Sequence, residues 1–351
     1  MMKKTGFGNL SEGYPKVTTV YDVANAAKVS IATVSRVFNN RSNVSEATRL
    51  RVRQAAEDLN YSPHMGARSL MNKRTDTIGI VLPDMHGEFF SELMRGADMA
   101  ARKLGQHLLI SCSHDNSEEM AVALSAMRGK VDGIVVMSPL LKVDTFRKYL
   151  PNDLPIVIMN GNREITEYPT VTIDNYDGAI RMTRHLLEEG HKKITLISGP
   201  SHNLDAEQRR LGYCEAITIS GLEGQPDIIE GDFSEESGYQ AGMEILSRKK
   251  KPDAVFASND AMAIGCLCAF QEHGILIPND IALAGFDDIP LARYMKPSLT
   301  TVKVPIAELG SKSIEMLLEK LHQKQGGDHG REFVFLSSLI IRDSSRRIIT
   351  G

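Results

Sequence analysis

Between Thr19 and about residue 60, apolar side chains recur at intervals of three and four. Val23, Ala24 and Ala27 form one group, Val34, Val37 and Phe38 a second, and Leu50, Ala55, Ala56 and Leu59 a third. This spacing predicts three short amphipathic helices whose stripes share one small core. Polar residues mark the starts: Thr19-Val20-Tyr21-Asp22 has the form of a capping box, and Ser30 and Ser45 stand where the second and third N-caps belong. From Thr75 onward the rhythm changes. "TIGIVLP", "HLLIS", "GIVVM", "IVIM", "VTID", "KITLIS", "AVFAS" and "IALAGF" are short, nearly continuous apolar runs. Most are separated by stretches of helical period, such as "EFFSELMRGADMAARKLG". Alternation of this kind predicts a doubly wound, mostly parallel α/β body. There are more strands than one such sheet usually holds, which predicts two lobes.

Charge sharpens the division. From Lys16 to Thr75 ten lysines and arginines stand against four acids, a net of +6, whereas residues 76–351 carry −10 within an overall −3. A basic head on an acidic body is the electrostatic footprint of a nucleic-acid module joined to something else. No run of 18 apolar residues occurs, so no membrane span is expected. "MMKKTGFGNLSEGYPK" lacks the apolar stretch of a secretory signal and reads as a disordered leader. Cys112, Cys214, Cys266 and Cys268 sit in apolar or helical surroundings and read as reduced core thiols of a cytoplasmic protein. Cys266 and Cys268, two apart on a helix, point to different faces and make a poor metal pair, and no metal or cofactor is expected.

Two short helices joined by the tight turn "KVS" and braced by a third make a helix-turn-helix. Its second helix would lead into a major groove with Ile31, Ala32 and Thr33, with Arg36 one turn behind. Thr33 and Ser35 suit phosphate or base contacts, and Arg36 can fork onto guanine. A protein-binding helical bundle would carry surface arginines too, so the pattern alone leaves both readings open.

In open parallel sheets, ligands sit beyond the carboxyl ends of the strands. Asp84 follows the first run, with Phe89 and Phe90 close behind; Asp174 follows "VTI"; Asn203, Asp205 and Arg209 follow "KITLIS"; Asn259 and Asp260 follow "AVFAS"; Asp287 follows "IALAGF". Carboxylates, amides, an arginine and aromatic rings suit a sugar or nucleoside, whose hydroxyls need polar partners and whose ring needs a flat apolar one. Singly, Asp174, Asn259 and Asp287 read equally well as helix caps, and Arg209 as a partner of Glu207 or Asp205. His191 in "EGHKKI" reads as a turn residue.

"VYDVANAAKVSIATVSRVFN" followed by "VSEATRLRVRQAAEDLNYSP" closely resembles the DNA-binding head of the LacI–GalR (lac repressor-like) family. "VDGIVVM", "GHKKITLISGP", "PDAVFASNDAMAIG" and "GILIPNDIALAGFDDIPLARYMKPSLTTV" follow in that family's order, and the match runs from Thr18 to Ser345. The resemblance implies an N-terminal all-α helix-turn-helix head on a two-lobed, periplasmic-binding-protein-like α/β core. It implies residues 18–61 as the head, 62–75 as a hinge helix, 76–345 as the effector-binding and dimerisation core, and 1–17 and 346–351 as leader and tail. By the same resemblance Tyr21, Ile31, Ala32 and Arg36 face bases, Thr33, Ser35 and Asn39 lie near the backbone, and Thr19 and Ser30 belong to the same DNA-binding surface. Asp84, Phe89, Phe90, Asp174, Asn203, Asp205, Arg209, Asn259, Asp260 and Asp287 would line the effector site, with Phe233 stacking a base in purine-type relatives.

"SPHMGARSLMNKR" matches the hinge pattern through Pro63, Ala67, Arg68 and Leu70. Pro63 suits the first helical position, but the piece is too short to be stable alone, and Gly66 costs about 1 kcal/mol more. The expectation is a segment that folds only on DNA, with Ala67 in the minor groove, Leu70 as an apolar wedge and Arg68 near phosphate.

The expected function is therefore a bacterial, nucleoid-associated repressor that binds near-palindromic operator DNA as a homodimer under control of a small effector. A solute-binding protein of a transport system would share the core but has no use for the basic head. An enzyme is not expected: no G-x-S-x-G elbow, Walker A run, H-E-x-x-H or helix-opening G-x-G-x-x-G occurs.

Overall fold

The computed structural model describes residues 18–38, 43–61, 74–114, 116–137, 148–151, 154–161, 166–221, 225–322 and 330–346. The chain divides into two compact units, Met1–Thr75 and Asp76–Gly351.

The first unit holds α1 (Val20–Ala26), α2 (Ile31–Phe38) and α3 (Glu46–Asp58). The Asp22 carboxylate accepts from the Thr19 backbone N–H at 2.8 Å and from its hydroxyl at 2.7 Å, so α1 starts where the capping box places it. The Ser30 and Ser45 hydroxyls accept from Thr33 and Thr48 N–H groups and start the other two helices. Val23, Val34, Val37 and Val52 are fully buried at the centre of a small core. The tilted Phe38 and Tyr61 rings, 5.9 Å apart, pack at its edge. Leu50, expected to face this core, points to solvent; Val52 takes its place, because the inward face of α3 runs through Val52, Ala55 and Ala56.

The second unit is built from two six-stranded sheets. The first, in order β11-β5-β4-β3-β1-β2, comprises Glu332–Phe335, Thr170–Ile173, Ile156–Met159, Gly133–Met137, Thr77–Leu82 and His107–Cys112. The second, in order β12-β10-β9-β8-β6-β7, comprises Ser338–Ile340, Thr300–Lys303, Ala282–Asp287, Ala254–Ala257, Ile194–Ser198 and Asp227–Glu230. All eight apolar runs are strands, and every pairing is parallel except β10 with β12. Strands β3, β4 and β8 are buried throughout, which is why they read as continuous apolar runs.

Helices α4 (Glu88–Lys103), α5 (Ser117–Met127) and α10 (Ile306–His322) pack on the first sheet. Helices α6 (Asn175–Glu188), α7 (Leu204–Ile219), α8 (Glu235–Ser247) and α9 (Asp260–Glu272) belong with the second. Helices α4 and α10 meet at glycines: a Cβ on Gly96 would lie 1.8 Å from the Ala307 carbonyl oxygen, and one on Gly310 would lie 2.2 Å from that of Leu93. The chain passes between lobes after β5, after β10 and between β11 and β12. The first and third of these crossings are tied together: Asp174 N–H donates to the Phe335 carbonyl at 3.0 Å, and the Ser337 hydroxyl donates to the Asp174 carbonyl at 3.3 Å.

Candidate functional site

In the head, the exposed surface of α1 and α2 carries a mixed set of side chains. Tyr21 is 64% exposed and Ile31 38%, with Ala32 and Arg36 also exposed nearby on α2. Val34 and Val37 hold the opposite side of α2 in the core, so the helix is anchored through one face and presents the other. Thr19 and Ser30 are exposed at the helix starts, while Thr33 and Ser35 are half-buried. Such a face can offer apolar contact to a thymine methyl and a guanidinium fork to guanine. Asn39, Ala67, Arg68 and Leu70 lie outside the described residues.

In the core, the carboxyl ends of β1, β3, β7 and β9 and the starts of α4, α7, α8 and α9 surround a cleft of about 260 Å3. From the first lobe come Asp84, His86, Glu88, Phe89, Phe90 and Met137; from the second come Asn203, Asp205, Arg209, Asp232, Phe233, Glu235, Asn259, Asp287 and Leu291. The Phe89 and Phe90 rings stand edge to face, 5.3 Å apart. Both line the cleft and also pack against the core of the second unit. Across the mouth the Leu291 N–H donates to the Glu88 carboxylate at 3.1 Å, and His86 approaches Glu235 at 3.9 Å.

A polar network sets the electrostatics of the cleft. Arg209 is 4% exposed and pairs with Asp287, not with Glu207 or Asp205 as its position on α7 suggested; Glu207 pairs with Arg210. The Arg209 guanidinium lies 3.4 Å from the Asp287 carboxylate and 3.9 Å from the Phe286 ring centre. It also donates to Asn175 Oδ1 at 2.8 Å and to the Ser258 carbonyl. Asn175 in turn donates to Asp205 at 2.8 Å, and Asn160, from the end of β4 in the other lobe, donates to the same carboxylate at 3.1 Å. Enclosure by protein raises the Asp205 carboxyl above its ordinary range, against the pull of Arg209 and the two amides. Burial pushes Asp287 up to about 7, with Arg209 lowering it and Asp205 raising it.

Two candidates lie elsewhere. Asp174 does not line the cleft: its carboxylate caps α6 through Asp177 N–H at 3.2 Å, and its backbone belongs to the lobe crossing. Asp260 is fully buried behind the cleft, accepting from the Thr301 hydroxyl at 2.6 Å and Ile289 N–H at 2.9 Å. Burial, with Asp287 beside it, raises its pKa well above the ordinary value. Asn203 and Asn259 cap α7 and α9 and also line the cleft; Asn259 Nδ2 holds the Phe233 carbonyl at 2.9 Å, with Phe233 in a left-handed conformation at φ 71°. Asn160 directly follows β4, and Asn175 stands two residues after β5 as the first residue of α6, so both occupy strand-end positions like the other polar residues of the network. His191 is fully buried with Nε2 3.1 Å from the Ser345 carbonyl. Cys268 is exposed rather than a core thiol. Among the described residues no group of three or more His, Cys, Asp or Glu is placed to hold a metal ion, and no helix is long and apolar enough to cross a membrane.

Residues 19–64 match the model of the bacterial regulatory proteins of the lacI family, and residues 183–345 match a periplasmic binding protein-like domain. The chain is 35% identical over 332 residues to the HTH-type transcriptional repressor CytR of Escherichia coli K12, covering 94% of this chain and 97% of that one. The chain belongs to the LacI family. Membership makes it a DNA-binding transcriptional regulator rather than an enzyme. Catabolite control protein A of Priestia megaterium is 34% identical over 309 residues, covering 87% of this chain and 93% of that protein. Among solved structures, the lac repressor dimer bound to operator and the anti-inducer ONPF superposes with a TM-score of 0.85 at 28% identity, covering 95% of this chain and all of that one. The LacI-family architecture accounts for both halves of the molecule, a helix-turn-helix head and a two-lobed core with parallel sheets.

Proposed function

We propose that this LacI-family protein is a repressor that binds a near-palindromic operator as a homodimer and changes its DNA affinity when a neutral, hydroxyl-rich effector, a sugar or nucleoside, occupies the cleft. One observation carries the reading: a basic helix-turn-helix presenting Tyr21, Ile31, Ala32 and Arg36 stands on the same chain as a two-lobed ligand cleft. A solute-binding protein would need only the second. CytR is named as a repressor, and the lac repressor structure is that of a dimer on its operator, which supports the sign of regulation and the stoichiometry.

One helix-turn-helix spans too few base pairs for high specificity, so two copies on a two-fold site supply it. Ile31 and Ala32 would meet thymine methyls and Arg36 a guanine. Thr19, Ser30, Thr33, Ser35 and Asn39 would position the head on the backbone. The hinge, residues 62–75, would enter the minor groove with Ala67 and Leu70, and Arg68 would neutralise phosphate. Such a protein works in the cytoplasm, on the nucleoid.

For the ligand, Phe89, Phe90 and Phe233 offer faces for a ring, and Asp84, Asn203, Asp205, Asn259 and Asp287 offer polar partners for hydroxyls. The carboxylates disfavour an anionic ligand, because the cleft guanidinium among the described residues, Arg209, is already paired with Asp287. To switch DNA binding the effector must favour one lobe arrangement; a coupling of about 1–3 kcal/mol gives roughly 5–150-fold control. A thermal-shift screen of sugars and nucleosides, followed by operator binding with and without the hit, tests the proposal. Absence of operator-specific binding, or a ligand that leaves operator affinity unchanged, would overturn it.

A further inference from the structure

Among the described residues, hydrogen bonds join the lobes across the cleft at two places. At the mouth the Leu291 N–H donates to the Glu88 carboxylate at 3.1 Å. On the buried side Asn160 Nδ2 donates to Asp205 Oδ2 at 3.1 Å. Asn160 follows β4 of the first lobe, and Asp205 stands in the first turn of α7 of the second. Both ends are firmly held. Asn160 takes a left-handed conformation at φ 45°, which its short polar side chain tolerates, and its N–H donates to the Val171 carbonyl at 3.0 Å. The Asp205 N–H donates to Asn203 Oδ1 at 2.9 Å, and the other Asp205 carboxylate oxygen accepts from Asn175 at 2.8 Å. Asn175 accepts in turn from Arg209, the partner of Asp287, so one polar chain runs from the first lobe to the far wall of the cleft. Asn160 itself is 3% exposed and does not line the cleft. Among the described residues its Oδ1 has no hydrogen-bond partner. A buried amide with an unsatisfied oxygen costs stability, so folding alone does not account for it.

We propose that Asn160 is a positioning residue: its amide pins the first lobe to Asp205 and so fixes the lobe separation into which the effector binds. The bonds of Asp174 with Phe335 and Ser337 lie at the lobe crossings and hold the pivot, whereas a bond between groups on either side of the cleft fixes the opening angle. The His86–Glu235 pair at the mouth is well exposed and adds little. A cleft held closed in advance spares the effector the cost of closing it. The proposal rests on the reading of the cleft as an effector site, and its first test needs no effector.

Hydrogen exchange on the full chain, resolved to single amides, reads the latch through Leu291. This residue opens the short 3-10 turn Pro290–Arg293, where N–H groups lack partners within the turn, and its N–H is held by Glu88 of the other lobe. The Ile289 N–H, held by Asp260 within the second lobe at 2.9 Å, is the internal control. Asn160→Gly keeps the left-handed backbone and removes the amide. In that variant Leu291 should exchange at least tenfold faster with Ile289 unchanged. Asn160→Asp sets a carboxylate against Asp205 and should speed Leu291 at least as much at pH 8. Unchanged Leu291 exchange in both variants overturns the proposal. So does equal acceleration of Ile289, which assigns Asn160 to the stability of the whole core. Calorimetry with D-ribose and adenosine reads the consequence for binding: a probe that binds the parent should bind Asn160→Gly at least fivefold more weakly, and equal affinity overturns the positioning role. Selective acceleration of Leu291 with neither probe bound by the parent upholds the latch and counts against the cleft reading alone.

Discussion

Replacing Arg209 by methionine removes the cation shared by two enclosed carboxylates while keeping most of the side-chain volume. In the parent the guanidinium lies 3.4 Å from Asp287, a separation worth about 5 kcal/mol for unit charges at an effective dielectric of about 20. Removing one member of a buried pair costs roughly 3–5 kcal/mol, because the remaining charge stays buried without its partner. At about 2 °C per kcal/mol, the lower end of the range for large domains, this predicts a melting temperature lower by roughly 6–10 °C at pH 8. The pH dependence follows from Asp287. Its folded-state pKa is raised, to about 7, so the stability linked to its proton is fully present below the ordinary carboxylate value and is lost as pH rises through the folded value. At pH 5 the group is largely protonated and Arg209 has little charge to neutralise; at pH 8 it is ionised and depends on Arg209. Without Arg209 the pKa values of Asp287 and Asp205 rise further, since in the parent the guanidinium pulls both down. Thermal melts of parent and variant at the two pH values should therefore show less than half the deficit at pH 5. Adding Asp287→Asn should recover part of the loss at pH 8. A deficit equal at both pH values, or no deficit at pH 8, would refute the view that Arg209 acts by neutralising these carboxylates.

Other outcomes are equally specific. Arg36→Ala should weaken operator binding by about 1–3 kcal/mol, or roughly 5–150-fold, with the dimer intact by sedimentation; unchanged affinity would remove Arg36 from the recognition helix's reading set. Leu70→Ala should reduce operator bending in a circular-permutation gel assay, and wild-type bending would leave residues 62–75 as a plain linker. Gly96→Val should lower the melting temperature of the core strongly, because its Cβ would lie 1.8 Å from the Ala307 carbonyl oxygen; a melt like the parent's would show that α4 and α10 can separate freely. In calorimetry at the cleft, a neutral sugar or nucleoside should bind more tightly than its phosphate, and the reverse order would sink the argument from the cleft's carboxylates.

Local pattern carried the three head helices, all eight of the apolar strands and the cleft side chains that follow them. Capping boxes and continuous apolar runs are properties of neighbouring residues, so they are visible along the chain. The pattern did not carry β7, β10, β11 and β12. "TTVK" and "EFVF" are too short or too polar to stand out, and they become strands because an existing sheet edge accepts them. Along the chain, every polar residue after a strand looks alike. Which ones reach the cleft was decided by the lobe crossings: these leave Asp174 capping a helix between sheets and bring Asn160 and Asn175 onto Asp205. Arg209 and Asp287 are 78 residues apart, and nothing local announces that they pair. The sequence alone therefore determined the family, the division into basic head and α/β core, and most of the cleft's chemistry. Tertiary structure decided which acids share a cation and which are merely structural, because burial and charge neutralisation depend on what distant segments place around a group.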